Sequence, residues 1–184
     1  RYFLSGGEVV REEPAEGNIV TYLFDENGAR YGFKLRNSQG QQTYWYIFNG
    51  QGDVIALIDK TGTWVVNYTY DAWGKPLTIT DQNGNPITDP LHVGNLNPIR
   101  YRGYYYDVET GFYWLQSRYY DPEIGRFINA DSQIAGIGGD IHGYNIFAYC
   151  FNNPINMSDP TGEWPFFAVT AAIGAVAGAV VGGV

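Results

Sequence analysis

Few side chains of this chain have the type and spacing that chemistry requires. His92 and His142 lie far apart, and neither has a second histidine or a cysteine beside it, so neither meets the ligand spacing of a metal site or resembles a triad histidine. No metal is expected. A single cysteine, Cys150, rules out an internal disulfide and a cysteine-based zinc site, and its neighbours Tyr149 and Phe151 point to a packed thiol. The glycine-rich run 136–139 lacks the strand-to-helix setting and the Lys-Ser/Thr ending of a phosphate loop, so no nucleotide or other cofactor is expected. Charge argues against nucleic acid as a partner. The 19 Asp and Glu against 11 Lys and Arg leave a net −8 spread along the chain, whereas a nucleic-acid groove gathers Lys and Arg.

The elements that must position any remaining chemistry read as β-strands. With 16 Tyr, 10 Phe, 5 Trp and 24 Gly in 184 residues, the composition suits half-buried pleated strands joined by tight glycine turns. Related segments recur: Thr21-Tyr22-Leu23-Phe24-Asp25-Glu26-Asn27-Gly28, then Tyr46-Ile47-Phe48-Asn49-Gly50-Gln51-Gly52-Asp53, then Tyr68-Thr69-Tyr70-Asp71-Ala72-Trp73-Gly74. Between them Gly40, Gly62 and Gly84 fall at 22-residue intervals, the mark of a repeating hairpin unit. The stretches on either side of Gly62, rich in β-branched and aromatic residues, predict two strands of one hairpin, with glycine supplying the positive φ of its turns. Residues 81–100, with Asn83-Gly84-Asn85-Pro86 and Asp89-Pro90, break the rhythm and predict a loop or an irregular crossing. The expected architecture is mainly β: hairpin repeats over 1–99, a denser aromatic domain over 100–163, and an apolar glycine-rich helix over 164–184.

The stretch 100–131 holds the most information. In it Tyr101-Arg102-Gly103-Tyr104-Tyr105-Tyr106-Asp107, Glu109-Thr110-Gly111 and Leu115-Gln116-Ser117-Arg118-Tyr119-Tyr120-Asp121-Pro122-Glu123-Ile124-Gly125-Arg126-Phe127 closely resemble the RHS-repeat-associated core domain. The likeness continues through Asn152-Asn153-Pro154 to Asp159-Pro160-Thr161-Gly162, and weaker YD-type repeats cover 20–80. The resemblance implies a strand spiralling into a hollow shell that the core domain closes, with a variable C-terminal toxin domain held inside in several relatives. Bacterial contact-dependent toxins, wall-associated nuclease precursors, toxin-complex subunits and the animal teneurins share that architecture. This chain would then be a shell or plug portion that contains and delivers an effector. Its partners would be its own C-terminal toxin domain and the upstream YD repeats, and its location secreted or at the cell surface.

In several such relatives the core domain resembles an aspartic protease that cuts its own chain just after an Asp-Pro-x-Gly-Leu junction. Carried over by motif, the implied pair is Asp131 and Asp159, with Arg118 as the arginine that orients a carboxylate, and the implied scissile bond joins Glu163 to Trp164. Two carboxyls about 3 Å apart cannot both ionise, so they share a proton and the ionised one activates water. This chain departs from that pattern at Glu163, which stands where the family has Leu, and in the segment between Asp131 and Asp159, which looks longer than in the self-cleaving relatives. A carboxylate at 163 would be disfavoured in an aliphatic pocket and would crowd the two acids. Plainer roles compete: Asp131 before Ser132 and Asp159 before Pro160 suit Asx turns, and Arg118 and Arg126 beside Tyr119, Tyr120 and Phe127 suit stacking.

Residues 165–184 carry no charge and place Gly174, Gly178 and Gly182 on one helical face over a length that matches a bilayer span. That segment reads as membrane-active toward a target membrane, as a linker packed inside the shell, or as the start of the variable region. An alternative function for the whole is adhesion, with aromatics such as Trp64 and Trp73 stacking on a glycan. A hydrolase acting on external substrates fits less well, because the only carboxylate pair belongs to a site built to act once on its own chain.

Overall fold

A computed structural model describes residues 1–6, 8–13, 17–130 and 145–163, and the backbone of 166 and 167. The described chain is mainly β, as the composition predicts. Contacts divide it into two units, one of residues 1–47, 54–69 and 77–97, the other of 48–53, 70–76 and 98–184.

The first unit is built on an eight-stranded sheet in which every strand lies beside its sequence neighbour. The strands are β1 (Tyr2–Ser5), β2 (Glu8–Glu12), β3 (Ile19–Phe24), β4 (Arg30–Asn37), β5 (Gly40–Phe48), β6 (Val54–Ile58), β7 (Trp64–Tyr70) and β8 (Pro76–Thr80). Alternation sends Val20 and Tyr22, Phe33 and Leu35, Tyr44 and Tyr46, and Val66 and Tyr68 to the buried side. Tyr22 pairs with Phe33 and Phe33 with Tyr44, so one row of rings crosses three strands. Asn97, fully buried, accepts the Tyr46 hydroxyl at 3.1 Å and donates to the Tyr68 hydroxyl at 3.3 Å.

One turn recurs, and it holds Gly62 and Gly84 of the evenly spaced glycines. At 25–29, 49–53, 59–63, 71–75 and 81–85 the first residue, Asp or Asn, accepts the N–H groups two and four positions on. The fourth residue is glycine at φ near +80° in each, where a Cβ is disfavoured. The turn at 81–85 shows that the rhythm persists past the predicted break: Pro86 bridges Thr80 and the Ile87 N–H reaches the Ile79 carbonyl at 2.9 Å. Proline signals a break in sequence because it removes a donor, but that does not prevent an edge pairing. Only after Ile87 does the chain leave the sheet, for a short helix α1 (Val93–Leu96) that His92 Nδ1 caps by accepting the Gly94 N–H at 3.1 Å.

In the second unit β9 (Tyr105–Asp107), β10 (Phe112–Leu115), β11 (Arg118–Asp121) and β12 (Arg126–Phe127) form a four-stranded antiparallel sheet ordered β12-β11-β10-β9. One face of that sheet, Tyr113, Leu115, Tyr120 and Phe127, packs with Tyr101, Tyr104, Tyr149, Cys150 and Met157. Buried phenols need partners, and the turn at 71–75 supplies them. Tyr101, Tyr120 and Tyr113 donate to the carbonyls of Ala72, Trp73 and Gly74 at 3.1, 2.7 and 2.8 Å. Trp73 is therefore a packing residue, partly buried against this cluster, whereas Trp64 stays 46% exposed. Strands β13 (Met157–Ser158) and β14 (Phe166–Phe167) form a separate antiparallel pair.

Candidate functional site

Arg118 opens β11 on the inward face, and its side chain is only 7% exposed. The guanidinium lies over the Phe127 ring, 3.6 Å from the centroid, which holds its plane. Its fork is then spread over three oxygens. Nε donates to the Gly162 carbonyl, Nη1 to the Ile146 carbonyl at 3.2 Å, and Nη2 to Asp159 Oδ2 at 3.5 Å. Arg118 thus stacks on an aromatic ring and meets a carboxylate with the same side chain.

Asp159 is 1% exposed. Besides Arg118, its carboxylate meets the Glu163 N–H, which donates to Oδ1 at 3.1 Å. Its own N–H donates to the Tyr104 hydroxyl at 3.0 Å, and Tyr104 shares a hydrogen bond of 3.2 Å with the Tyr149 hydroxyl. Burial pushes the Tyr104 phenol far above its ordinary range, so Tyr104 works here as a neutral hydroxyl. Cys150, 1% exposed in the same cluster, is the packed thiol predicted, and burial pushes it up to about 12.

Residues 159–162 turn back on themselves, and the turn is seated on the β10–β11 connection. Ser117 directs both its N–H, at 3.2 Å, and its hydroxyl, at 2.7 Å, to the Thr161 carbonyl. Gly162 sits at φ +72°, and a Cβ there would lie 2.7 Å from the Leu115 carbonyl oxygen and 2.8 Å from Ser117 Oγ. Only glycine permits so close an approach. Glu163 is exposed, and its backbone N–H rather than its carboxylate meets Asp159, so the crowding of acids expected from its side chain does not arise at Asp159. Two consecutive carbonyls and the following N–H are thereby held by Ser117, Arg118 and Asp159. Such a grip fixes a backbone in register beside a carboxylate, which a proteolytic site asks of its substrate and a closed turn asks of its cap.

The other expected site positions are distributed differently. Asp131, His142, residues 136–139, Trp164 and all of 165–184 except the backbone of 166 and 167 lie outside the described residues. Arg126 is exposed and donates to Asn145 Oδ1 at 3.1 Å. Sequence reasoning passed over a second buried pair in the same unit: Arg102 Nε lies 3.8 Å from Asp53 Oδ1, with side chains 2% and 7% exposed. Arg102 also donates to the carbonyls of Gln51 and Pro154 at 2.7 and 2.5 Å, from a backbone at φ +53°. Asp53 closes the 49–53 turn just before β6, so nothing in its sequence context separates it from the solvated turn acids. Ser117 and Tyr104 likewise lie within motifs that assign them no role, because a lone serine and one tyrosine in a run of three carry no spacing signal.

Comparison with known proteins agrees with the hairpin repeats and the aromatic core. The tRNA nuclease WapA of Bacillus subtilis is 37% identical over 180 residues, 96% of this chain and 7% of that protein. The toxin protein Tse5 of Pseudomonas aeruginosa is 38% identical over 120 residues, 56% of this chain and 9% of that protein. The crystal structure of TcdB2-TccC3-Cdc42 superposes with a TM-score of 0.62 at 25% identity, over 79% of this chain and 6% of that one. The chain therefore spans a small fraction of the length of each of these relatives. With the teneurin YD-shell profile matching residues 13–157, the chain belongs to the teneurin YD-shell family of RHS/YD-repeat proteins.

Proposed function

We propose that this chain, a portion of an RHS/YD-repeat shell, serves a toxin that is secreted or displayed at the cell surface, and that it contains and delivers an effector following it in the same polypeptide. The mechanism of containment is steric. Hairpins bury their aromatic faces against one another and against the enclosed polypeptide, which keeps the effector from its host until release. The similarity to proteins named as a tRNA nuclease and a toxin supports this reading.

In the same proposal the core domain processes its own chain after the Asp-Pro-Thr-Gly turn, with Asp131 and Asp159 as the carboxyl pair and Arg118 as the orienting arginine. One carboxylate takes a proton as the water oxygen adds to the carbonyl carbon. The other carboxyl gives its proton to the departing amide nitrogen as the C–N bond breaks. The observation that carries the reading is the docking of the turn itself: a surface loop would leave Asp159 in water, yet here it is buried against Arg118 with the following peptide in hand. The test is intact mass of the full-length protein with a C-terminal tag, beside its Asp131→Asn counterpart. Scission at the junction that disappears in the variant is the expected result. An uncut chain in both would leave a shell whose effector stays covalently attached and would end the protease reading.

A further inference from the structure

We infer that Ser117 is a positioning residue that sets the register of the junction, an inference that rests on the self-processing reading. Ser117 is exposed on the β10–β11 turn, where a serine ordinarily gives its hydroxyl to water. Here its hydroxyl donates to the Thr161 carbonyl at 2.7 Å, and its N–H is shared between the Leu115 carbonyl at 2.7 Å and the Thr161 carbonyl at 3.2 Å. The residue before it, Gln116, stands at φ +61°, a conformation that L side chains rarely adopt and that turns of this length usually assign to glycine. Strain of this kind persists where the surroundings over-determine it, and here it closes a tight turn on the Leu115 carbonyl from which the Ser117 hydroxyl reaches the junction.

The grip is ordered along the chain. Ser117 holds Thr161, its neighbour Arg118 holds the Gly162 carbonyl, and Asp159 holds the Glu163 N–H. Adjacent residues on the hairpin thus read adjacent residues of the junction. A slip by one position would bring the Cβ of Thr161 or Glu163 to the place where Gly162 already lies against Leu115 and Ser117. Glycine excludes the wrong registers sterically, and Ser117 supplies the attraction that selects the right one. Arg118 cannot supply it alone, since its fork is shared with Ile146 and Asp159.

Ser117→Ala removes the hydroxyl and leaves the backbone donor, and Ser117→Thr keeps both. In the full-length protein Ser117→Ala is expected to slow release of the tagged fragment about tenfold, the worth of one net hydrogen bond in a barrier. It should also blur the new N-terminus over neighbouring residues and speed amide exchange at Glu163 about fivefold. Ser117→Thr should match wild type in all three. A Ser117→Ala protein with wild-type rate, a single release point and unchanged exchange overturns the inference. If wild type itself stays uncut, the self-processing reading falls on its own, and exchange at Glu163 still decides whether Ser117 holds the junction.

Discussion

Replacing Arg118 by methionine keeps the length of the side chain and its packing on Phe127 while removing the charge beside Asp159. The carboxylate, 1% exposed and 3.5 Å from Nη2, would then be buried without that charge, while the Glu163 N–H still donates to it. Leaving one member of a buried pair uncompensated costs about 3–5 kcal/mol, against about 1–3 kcal/mol for each hydrogen bond to a charged group that is lost. Arg118→Met should therefore lower unfolding stability by about 4 kcal/mol at neutral pH. Asp159→Asn alone keeps an oxygen for the Glu163 N–H and should cost less, about 2 kcal/mol. The decisive protein is the double variant, in which no buried charge is left: it should be more stable than Arg118→Met by about 1–3 kcal/mol, a favourable coupling between neighbours. Urea unfolding of the four proteins reads this directly. A double variant about 2 kcal/mol less stable than Arg118→Met, where the two single losses simply add, would mean that the two side chains act independently, and the account of Asp159 as a carboxylate held by Arg118 would fail.

Two further predictions concern the aromatic core. Tyr101 and Cys150 are both raised to about 12 by burial, and Tyr104, Tyr113, Tyr120 and Tyr149 are also raised. Above the ordinary pKa values of 9.0 for thiol and 10.0 for phenol, the unfolded chain loses protons that the native one keeps. Stability is thus fully present below about pH 9 and falls as pH rises, by about 1.4 kcal/mol per pH unit for each such group. A urea midpoint as high at pH 11 as at pH 8 would refute it. The two turn glycines Gly74 and Gly84 share a left-handed backbone, at φ +87° and +82°, but a Cβ on Gly74 would lie 2.4 Å from the Tyr101 ring whereas Gly84 faces open space. Gly84→Ala should cost about 1 kcal/mol for its backbone alone, and Gly74→Ala about 2–4 kcal/mol once the overpacking is added. Equal thermal shifts for the two would show that the Tyr101 contact carries no weight.

Much of the local architecture was legible because it is local. Asp or Asn at the first turn position and glycine at the fourth dictate a five-residue reversal whatever lies elsewhere, so the hairpins around Gly28, Gly52, Gly62 and Gly74 follow from short-range sterics and hydrogen bonds. The same code is present at 81–85, where Pro86 and Pro90 signal a break but Asp81 and Gly84 still close the turn. Trp73 illustrates the converse. Its neighbours on the chain are those of an exposed turn, and what buries it is a cluster that includes residues from Tyr101 to Met157.

The sequence by itself determined the class of fold, the turn chemistry and the two separate motifs that hold Arg118 and Asp159, since each depends on residues close together along the chain. Which groups surround Asp159 was decided by tertiary structure alone. Tyr104, Ser117 and Arg118 reach the junction from 41 to 55 positions away, a separation closed only by folding. The pairing of Arg102 with Asp53 spans 49 positions in the same way. Burial is the physical reason: an acid becomes a held carboxylate or a solvated turn residue according to what excludes water from it, and that is a property of packed neighbours rather than of spacing.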